Sequence, residues 1–296
     1  MGSSHDIGKP RTTTIEDGEI KTPRHSIVGS TMARTILSDL NITYYVRKDI
    51  CDLIRHHTKP PHIIEAEDPA SYVIKTSWLC KNHFLYIVSM ADIVGRISND
   101  KIDSIFCVNM WKSICEENAC FTQGYNFLNS HARVMFYTKG NFQPYHTPYM
   151  EDMFDVYLLC GLPGTGKTYY AKNKLSKHPL VELDLAREEL DVKPMEEEGK
   201  VLQLTKEMCR EQLRLKRSFV FSATNILRST RMKWIDLFIS YGAKVNIIYL
   251  EKPLAVILKQ NRERDRNVPE NVIMAMRNKI EIPNWDEAHD ITYIVN

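Results

Sequence analysis

The chain lacks any uninterrupted apolar run of about eighteen residues, so nothing in it reads as a membrane span. The opening MGSSHDIGKP has no apolar core, which excludes a secretory signal in that stretch. The seven cysteines (51, 80, 107, 115, 120, 160, 209) form no C-x-x-C pair and are odd in number. That excludes a disulfide frame or a cysteine-type zinc site and points to reduced thiols in a cytoplasm. Charge is nearly balanced too. The formal net charge is +2 over 296 residues, and from residue 151 onward 23 Lys and Arg stand against 22 Asp and Glu. A nucleic-acid substrate would therefore be held by local clusters and not by a bulk field, and a large non-specific DNA binder is disfavoured. There are no internal repeats and no low-complexity tract. What remains is 43% hydrophobic and 26% charged, the make-up of a globular protein with room for two domains.

The composition shifts at 137–152, YTKGNFQPYHTPYMED, where Gly140, Asn141, Pro144 and Pro148 break any regular pattern. We place a domain boundary near residue 150. Upstream, apolar residues at Ile27, Val28, Met32, Ile36 and Leu37 follow a helical period over 25–40. Helices are also expected at 46–57, over 78–97 as one or two, and at 105–117. β-branched alternation is scarce there, so the first domain is expected to be all-α. Downstream, strand candidates at 156–160, 180–183, 218–222, 245–250 and 291–295 alternate with helix candidates at 167–177, 199–216, 230–241, 253–261 and 269–279. Such alternation predicts a parallel sheet covered on both faces, with ligands at the carboxyl ends of its strands.

The most informative stretch is Val156-Tyr-Leu-Leu-Cys160 followed by Gly161, Leu162, Pro163, Gly164, Thr165, Gly166, Lys167 and Thr168. It fits G-x-x-x-x-G-K-[ST] without departure. Glycines let successive backbone N–H groups turn toward phosphate, Lys167 reaches the β/γ-phosphates of a nucleoside triphosphate such as ATP, and Thr168 offers its hydroxyl to Mg²⁺. The helix that follows aims its positive end at the same anion. After the second expected strand, Asp184 and Arg187 stand three residues apart, suited to take a proton from an attacking hydroxyl and to hold its bearer. After the third, Thr224 and Asn225 suit a bound phosphate or hydroxyl, while no aspartate follows that strand to supply the usual second Mg²⁺ carboxylate. Mg²⁺ is then left to Thr168, the phosphates, water and Asp184. After the fourth, Arg262, Arg264 and Arg266 alternate just before Pro269, placed to close over a triphosphate and neutralise charge as it develops.

Together, GLPGTGKT, the D-x-x-R of Asp184 and Arg187, the A-T-N of 223–225 and the N-x-x-R ending at Arg264 resemble the P-loop polynucleotide 5′-kinase family over 156–296. The resemblance implies a five-stranded parallel sheet with a helical lid. It also implies Asp184 as general base on a 5′-hydroxyl, Arg187 on the acceptor phosphate and Arg264 on the donor phosphates.

In the first domain, His5-Asp6, His25, His56-His57 and Asp92 offer imidazole and carboxylate ligands that suit Mn, Co, Ni, Fe or Zn. A divalent ion there could activate water toward phosphorus. HDIGKP, the H-x-x-x-G of 25–29 and the A-D-x-x-G of 91–95 resemble the HD phosphohydrolase superfamily over about residues 5–130, particularly the HD domains attached to tRNA nucleotidyltransferases. That resemblance implies His5, Asp6 and Asp92 as ligands, with His25 and one of His56 or His57 serving a second ion or the phosphate. The family places a further histidine ligand upstream of its H-D pair. This chain starts four residues before His5 with Met-Gly-Ser-Ser, which reads as an expression scar or a truncated beginning, so weakened or absent metal binding and phosphoesterase activity are expected.

The order of the two halves resembles the bifunctional bacterial HD-Pnk end-healing enzymes. The likeness implies removal of 2′,3′-cyclic phosphate or 2′/3′-phosphate by the first domain, 5′-OH phosphorylation by the second, and RNA or DNA ends passed to a ligase. Two rival readings stand beside it. One is a kinase of a nucleoside or other small metabolite; the other is an ATP-gated RNA-binding protein whose HD portion is scaffold.

Overall fold

The computed structural model describes residues 5–16, 18–97, 100–140, 142–149, 152–192, 196–264 and 267–295. It forms two compact units, residues 1–128 and 129–296. Among the described residues no helix is long and apolar enough to cross a membrane.

The first unit is helical, as its spacing predicts. A short helix α1 (Lys9–Thr12) is followed by α2 (His25–Asp39), α3 (Tyr44–His56), a 3₁₀ segment (Pro60–Glu65), α4 (Pro69–Leu79), α5 (Asn82–Gly95) and α6 (Lys101–Glu117). The exception to an all-α expectation is a small antiparallel hairpin of β1 (Thr14–Glu16) and β2 (Glu19–Lys21), in which Ile15 faces Ile20 across the pair. Asp68 starts α4 by accepting the Ser71 N–H at 3.0 Å, with Pro69 in the first turn, where its missing N–H costs no hydrogen bond. The α2–α3 contact buries Ala33, Cys51 and Ile54, with Leu37 and Ile50 at its margin.

Gly8 and Gly29 set how the chain opens this unit. A Cβ on Gly8 would run into the backbone of His25 and Gly29, and one on Gly29 would meet Gly8 N and Ile54 Cγ2 at 3.2 Å. Both residues keep α1 against the first turn of α2, and His5-Asp6 is thereby laid beside His25.

The second unit begins earlier than residue 150. Helix α7 (Ser130–Thr138), capped by Asn129, belongs to it because Arg133 donates to the carbonyls of Trp285, Ala288 and His289 at 3.2, 3.1 and 2.8 Å. Sequence punctuation marks the loop after α7, whereas the buried contacts of Arg133 move the division to 128/129. The sheet then runs β3 (Phe154–Cys160), β4 (Leu180–Glu182), β5 (Phe219–Ser222), β6 (Ala243–Glu251) and β7 (Asp290–Val295), in spatial order β4-β5-β3-β6-β7 and parallel throughout. Between the strands lie α8 (Lys167–Lys174), α9 (Leu183–Leu190), α10 (Glu198–Arg214), α11 (Arg228–Ser240), α12 (Leu254–Arg262) and α13 (Glu270–Lys279). Central β3 is buried at five of its seven positions and half-buried at the other two, as a strand covered on both faces must be. Leu159, Ala171, Val220, Ile248 and Leu250 join helix α8 to the sheet directly behind the Gly-rich loop.

Candidate functional site: a phosphate cradle and a histidine–aspartate cluster

The cradle loop leaves β3 at the sheet's centre and is bolted from two sides. Gly161 N donates to Thr224 O at 3.0 Å, and Asn225 Nδ2 donates to Leu159 O at 2.8 Å. Gly164, at φ +82°, lies so close to Ile257 O and Asn261 N that a side chain there would collide with α12. Leu162, Pro163 and Thr165 are buried, and the Thr165 hydroxyl donates to Leu162 O at 2.9 Å, tightening the loop from within. Gly166 caps α8, whose first residues are Lys167 and Thr168.

The Lys167 ammonium folds into this loop, donating to Gly161 O at 2.8 Å and Leu162 O at 2.9 Å. Although the residue's surface is partly open, desolvation of the ammonium pulls its pKa down to about 8. Nearby Arg264 pushes the same way, while Cys160, Glu182 and Asp184 oppose it. The lysine therefore feels both the arginine expected on the donor phosphates and the carboxylate expected on the acceptor hydroxyl. These oxygens and cations fit a triphosphate: an ammonium held by carbonyls alone is ready to exchange them for phosphate oxygens.

Asp184 and Arg187 meet as their spacing requires, on the first turns of α9. Arg187 Nη1 donates to Asp184 Oδ1 at 2.7 Å. The other arm, Nη2, is taken by both oxygens of Glu198 at 2.9 and 3.1 Å, while Nε is buried with no partner among the described residues. Asp184 itself is open, its side chain 58% exposed. It lies within electrostatic reach of Lys167 and is open to solvent.

Two expected contacts resolve differently. Asn225 is buried, and its amide serves the backbone of Leu159, so it braces the cradle and does not present itself to substrate. The Asn225 main-chain carbonyl accepts Arg231 Nη1 at 2.9 Å, and Arg231, fully buried, forms a paired bridge to Glu287 at 2.7 and 2.9 Å. Residue Thr224 keeps a hydroxyl without a hydrogen bond among the described residues and remains available. Arg262 is likewise diverted: it binds Glu270 Oε1 through Nε at 2.8 Å and Nη2 at 2.7 Å, and it is exposed. A helix-end charge next to an acidic N1 residue finds that partner before it finds a phosphate. Arg264 is left as the arginine that acts on Lys167; Arg266 lies outside the described residues. Buried Asn261 closes the arginine segment, its amide clasping Val268 O at 2.7 Å and Val268 N at 3.0 Å.

Sequence reasoning missed two groups at this mouth. Glu182, the last residue of β4, accepts the Thr168 hydroxyl at 3.1 Å. Lys252, the residue after β6, is held by Gln260 at 3.1 Å and lies beside Gly166. Both sit at carboxyl ends of parallel strands, the one signal that could have marked them.

In the first unit, His5, Asp6 and His57 bring ligand atoms within 4.8 Å of one another. His5 Nε2 lies 3.1 Å from Asp92 Oδ1 and 3.4 Å from Asp6 Oδ2. Asp6 Oδ1 faces His25 Nε2 at 3.7 Å and His57 Nε2 at 3.9 Å, and those two nitrogens are 3.3 Å apart. Backbone carbonyls fix both rings from behind: Thr22 O at 2.9 Å from His25 Nδ1, and Ile54 O at 2.8 Å from His57 Nδ1. Asp6 Oδ1 and His5 Nδ1 are buried without a hydrogen bond among the described residues. Burial would raise the Asp6 carboxyl, but the Lys9 hydrogen bond and the fields of His5, Lys9 and His57 outweigh it and hold the carboxyl below its usual value. Burial keeps His57 neutral to lower pH. A carboxylate facing imidazole nitrogens, with a buried oxygen unclaimed, fits a divalent ion. His56 does not join. Successive residues on a helix point about 100° apart, and the ring of His56 instead sits near Lys59, Arg55 and Lys48, its pKa far below normal through burial.

Residues 1–92 match the HD domain family, and residues 156–283 match the AAA_33 family, described as an AAA domain. An L-seryl-tRNA(Sec) kinase from Methanococcus maripaludis is 28% identical over 141 residues, which is 45% of this chain; the match spans 55% of that relative, about half its length. Among solved structures, a putative kinase from Chloroflexus aurantiacus covers 48% of this chain and 85% of its own at 14% identity and TM-score 0.39. A gluconokinase from Sinorhizobium meliloti covers 48% and 82% at 15% identity and TM-score 0.34. The chain thus carries an N-terminal region that matches the HD domain and a C-terminal P-loop region that matches the AAA domain.

Proposed function

We propose that the second unit is a polynucleotide kinase that transfers the terminal phosphate of ATP or another nucleoside triphosphate to a 5′-hydroxyl, and that the HD unit removes 2′,3′-phosphate from nucleic-acid ends. One observation carries the kinase reading: Asp184, bonded to Arg187, is close enough to Lys167 of the cradle to act on its charge. Asp184 accepts the hydroxyl proton as the acceptor oxygen bonds to the γ-phosphorus and the bond to the leaving nucleoside diphosphate breaks. Lys167 and Arg264 hold the phosphate oxygens, Arg187 positions Asp184 and the acceptor, and Thr224 contacts the acceptor. Thr168 would help hold Mg²⁺, which would supply neutralisation of phosphate charge.

In the HD unit, His5, Asp6, Asp92, His25 and His57 would hold the divalent ion, which supplies Lewis acidity for attack of water on phosphorus. The carbonyls of Thr22 and Ile54 keep the two imidazoles aimed at it. Ends treated at both termini would suit a ligase.

A second reading is favoured by the similarity to the M. maripaludis protein, whose name places its acceptor hydroxyl on a charged tRNA. The experiment is transfer from γ-labelled ATP to a 5′-OH RNA, a 5′-OH DNA, a seryl-charged tRNA and a free nucleoside, in parallel. Label on the 5′-OH strands supports the proposal. Label on the charged tRNA alone moves the acceptor to the aminoacyl group, and label on the nucleoside alone makes this a small-metabolite kinase.

A further inference from the structure

Strand β5, second from the edge, ends at Ser222 and is followed by Ala223 and Thr224, with no carboxylate to reach a metal beside the cradle. The strand next to it supplies one. In register, Glu182 of β4 lies beside Ser222 of β5, and Ser222 lies beside Leu159 of β3, one residue before Cys160 and the start of the loop. Glu182 is thus level with the cradle's origin at the carboxyl end of the sheet. Strand alternation sends buried Val181 to one face and Glu182 to the other. There its Oε1 takes the Thr168 hydroxyl at 3.1 Å. A hydroxyl and a carboxylate oxygen are both hard donors of the kind Mg²⁺ selects, and Mg²⁺ in nucleotide sites uses one or two carboxylates besides phosphate and water. Asp184 has a different engagement, the Arg187 guanidinium.

We propose that Glu182, not Asp184, is the carboxylate that holds the nucleotide's Mg²⁺ together with Thr168. The metal acid is thereby supplied by the edge strand β4 in place of its neighbour β5, which lacks one, and this leaves Asp184 for the acceptor hydroxyl. This rests on the P-loop kinase reading of the second unit.

The test uses the full chain, Mn²⁺ as the probe and adenylyl imidodiphosphate as the non-hydrolysable nucleotide, with bound Mn²⁺ read by electron paramagnetic resonance. Glu182→Gln keeps an acceptor for Thr168 and should weaken Mn²⁺ in the ternary complex by about tenfold or more, the scale of a lost metal-site partner. Nucleotide affinity without metal should not change, which also reports a folded cradle. Glu182→Asp should lose less, and Asp184→Asn should hold Mn²⁺ as the wild type does. Undiminished Mn²⁺ in Glu182→Gln, or loss in Asp184→Asn with none in Glu182→Gln, overturns the assignment. A wild-type chain that binds no nucleotide at all overturns the kinase reading beneath it.

Discussion

Arg187 holds Asp184 at 2.7 Å with one arm and Glu198 with the other. The guanidinium expected to bind an acceptor phosphate is therefore already matched by two carboxylates. A phosphate on the acceptor must compete with Glu198, which reaches in from the first residue of α10. Removing that competitor by Glu198→Gln should lower KM for a phosphate-bearing acceptor by about twofold to fivefold, with kcat little changed, since a partly exposed charged pair is worth about 1 kcal/mol or less. Acceptor titrations of the two proteins would show it; an unchanged or raised KM would mean that Arg187 is an internal strut.

Lys167 gives a proton-linked signature. Desolvation, aided by Arg264, brings its pKa to about 8, so near pH 8 roughly half the population is neutral. A triphosphate favours the charged form and raises that pKa, so binding should draw about half a proton from solution at pH 8 and almost none at pH 6. Calorimetric titration in buffers of different ionisation heat measures the uptake. Lys167→Met should abolish it along with most of the affinity.

The close approach of Gly8 to α2 can be tested in the HD unit. Gly8→Ala places a methyl against the backbone of His25 and Gly29. Forced separation should cost about 1–3 kcal/mol of stability and pull His5-Asp6 away from His25 and His57. Equilibrium dialysis against Mn²⁺ should then show weaker binding than in the parent chain; equal binding would show that the turn tolerates the shift.

His289 makes the second unit acid-sensitive. Its Nδ1 accepts the Val245 N–H at 3.0 Å, so its proton sits on Nε2 and is donated to His131 Nδ1 at 2.9 Å. Burial, with His131, Lys244 and Arg133 nearby, lowers its pKa from 6.5 to about 3. The folded value lies below the unfolded one, so between them the unfolded chain binds more protons. Stability is complete above about pH 6.5 and falls as pH drops toward 3, by up to about 1.4 kcal/mol per pH unit from this group. His289→Asn keeps an acceptor for Val245 and cannot titrate. Its urea midpoint should fall less steeply than the parent's between pH 6.5 and 5.

The sequence revealed the periodic and the motif-bearing parts. The parallel sheet followed from alternation, and the cradle from its glycines and Lys167. Asp184 and Arg187 were legible because a three-residue step on a helix brings them to one face. Position relative to strands misled at Asn225, where the backbone's own need for a brace took the amide. At Arg262 it missed the competing Glu270, eight residues on. His56 and His57 could not be separated without the helix phase that turns one inward. Glu182 was invisible as a metal group because nothing local announces which strand-end carboxylate faces Thr168. Helix α7 escaped because its reason for joining the second unit, the carbonyls reached by Arg133, lies about 150 residues away.

The central claim is that Asp184 takes the proton from the hydroxyl that attacks a cradle-bound triphosphate. Single-turnover transfer from γ-labelled ATP to a 5′-OH oligonucleotide, measured for Asp184→Asn beside its nucleotide affinity, tests it most directly. The account predicts transfer slowed by about 10²-fold to 10⁴-fold with nucleotide still bound. Transfer at the parent rate by the asparagine variant would contradict it.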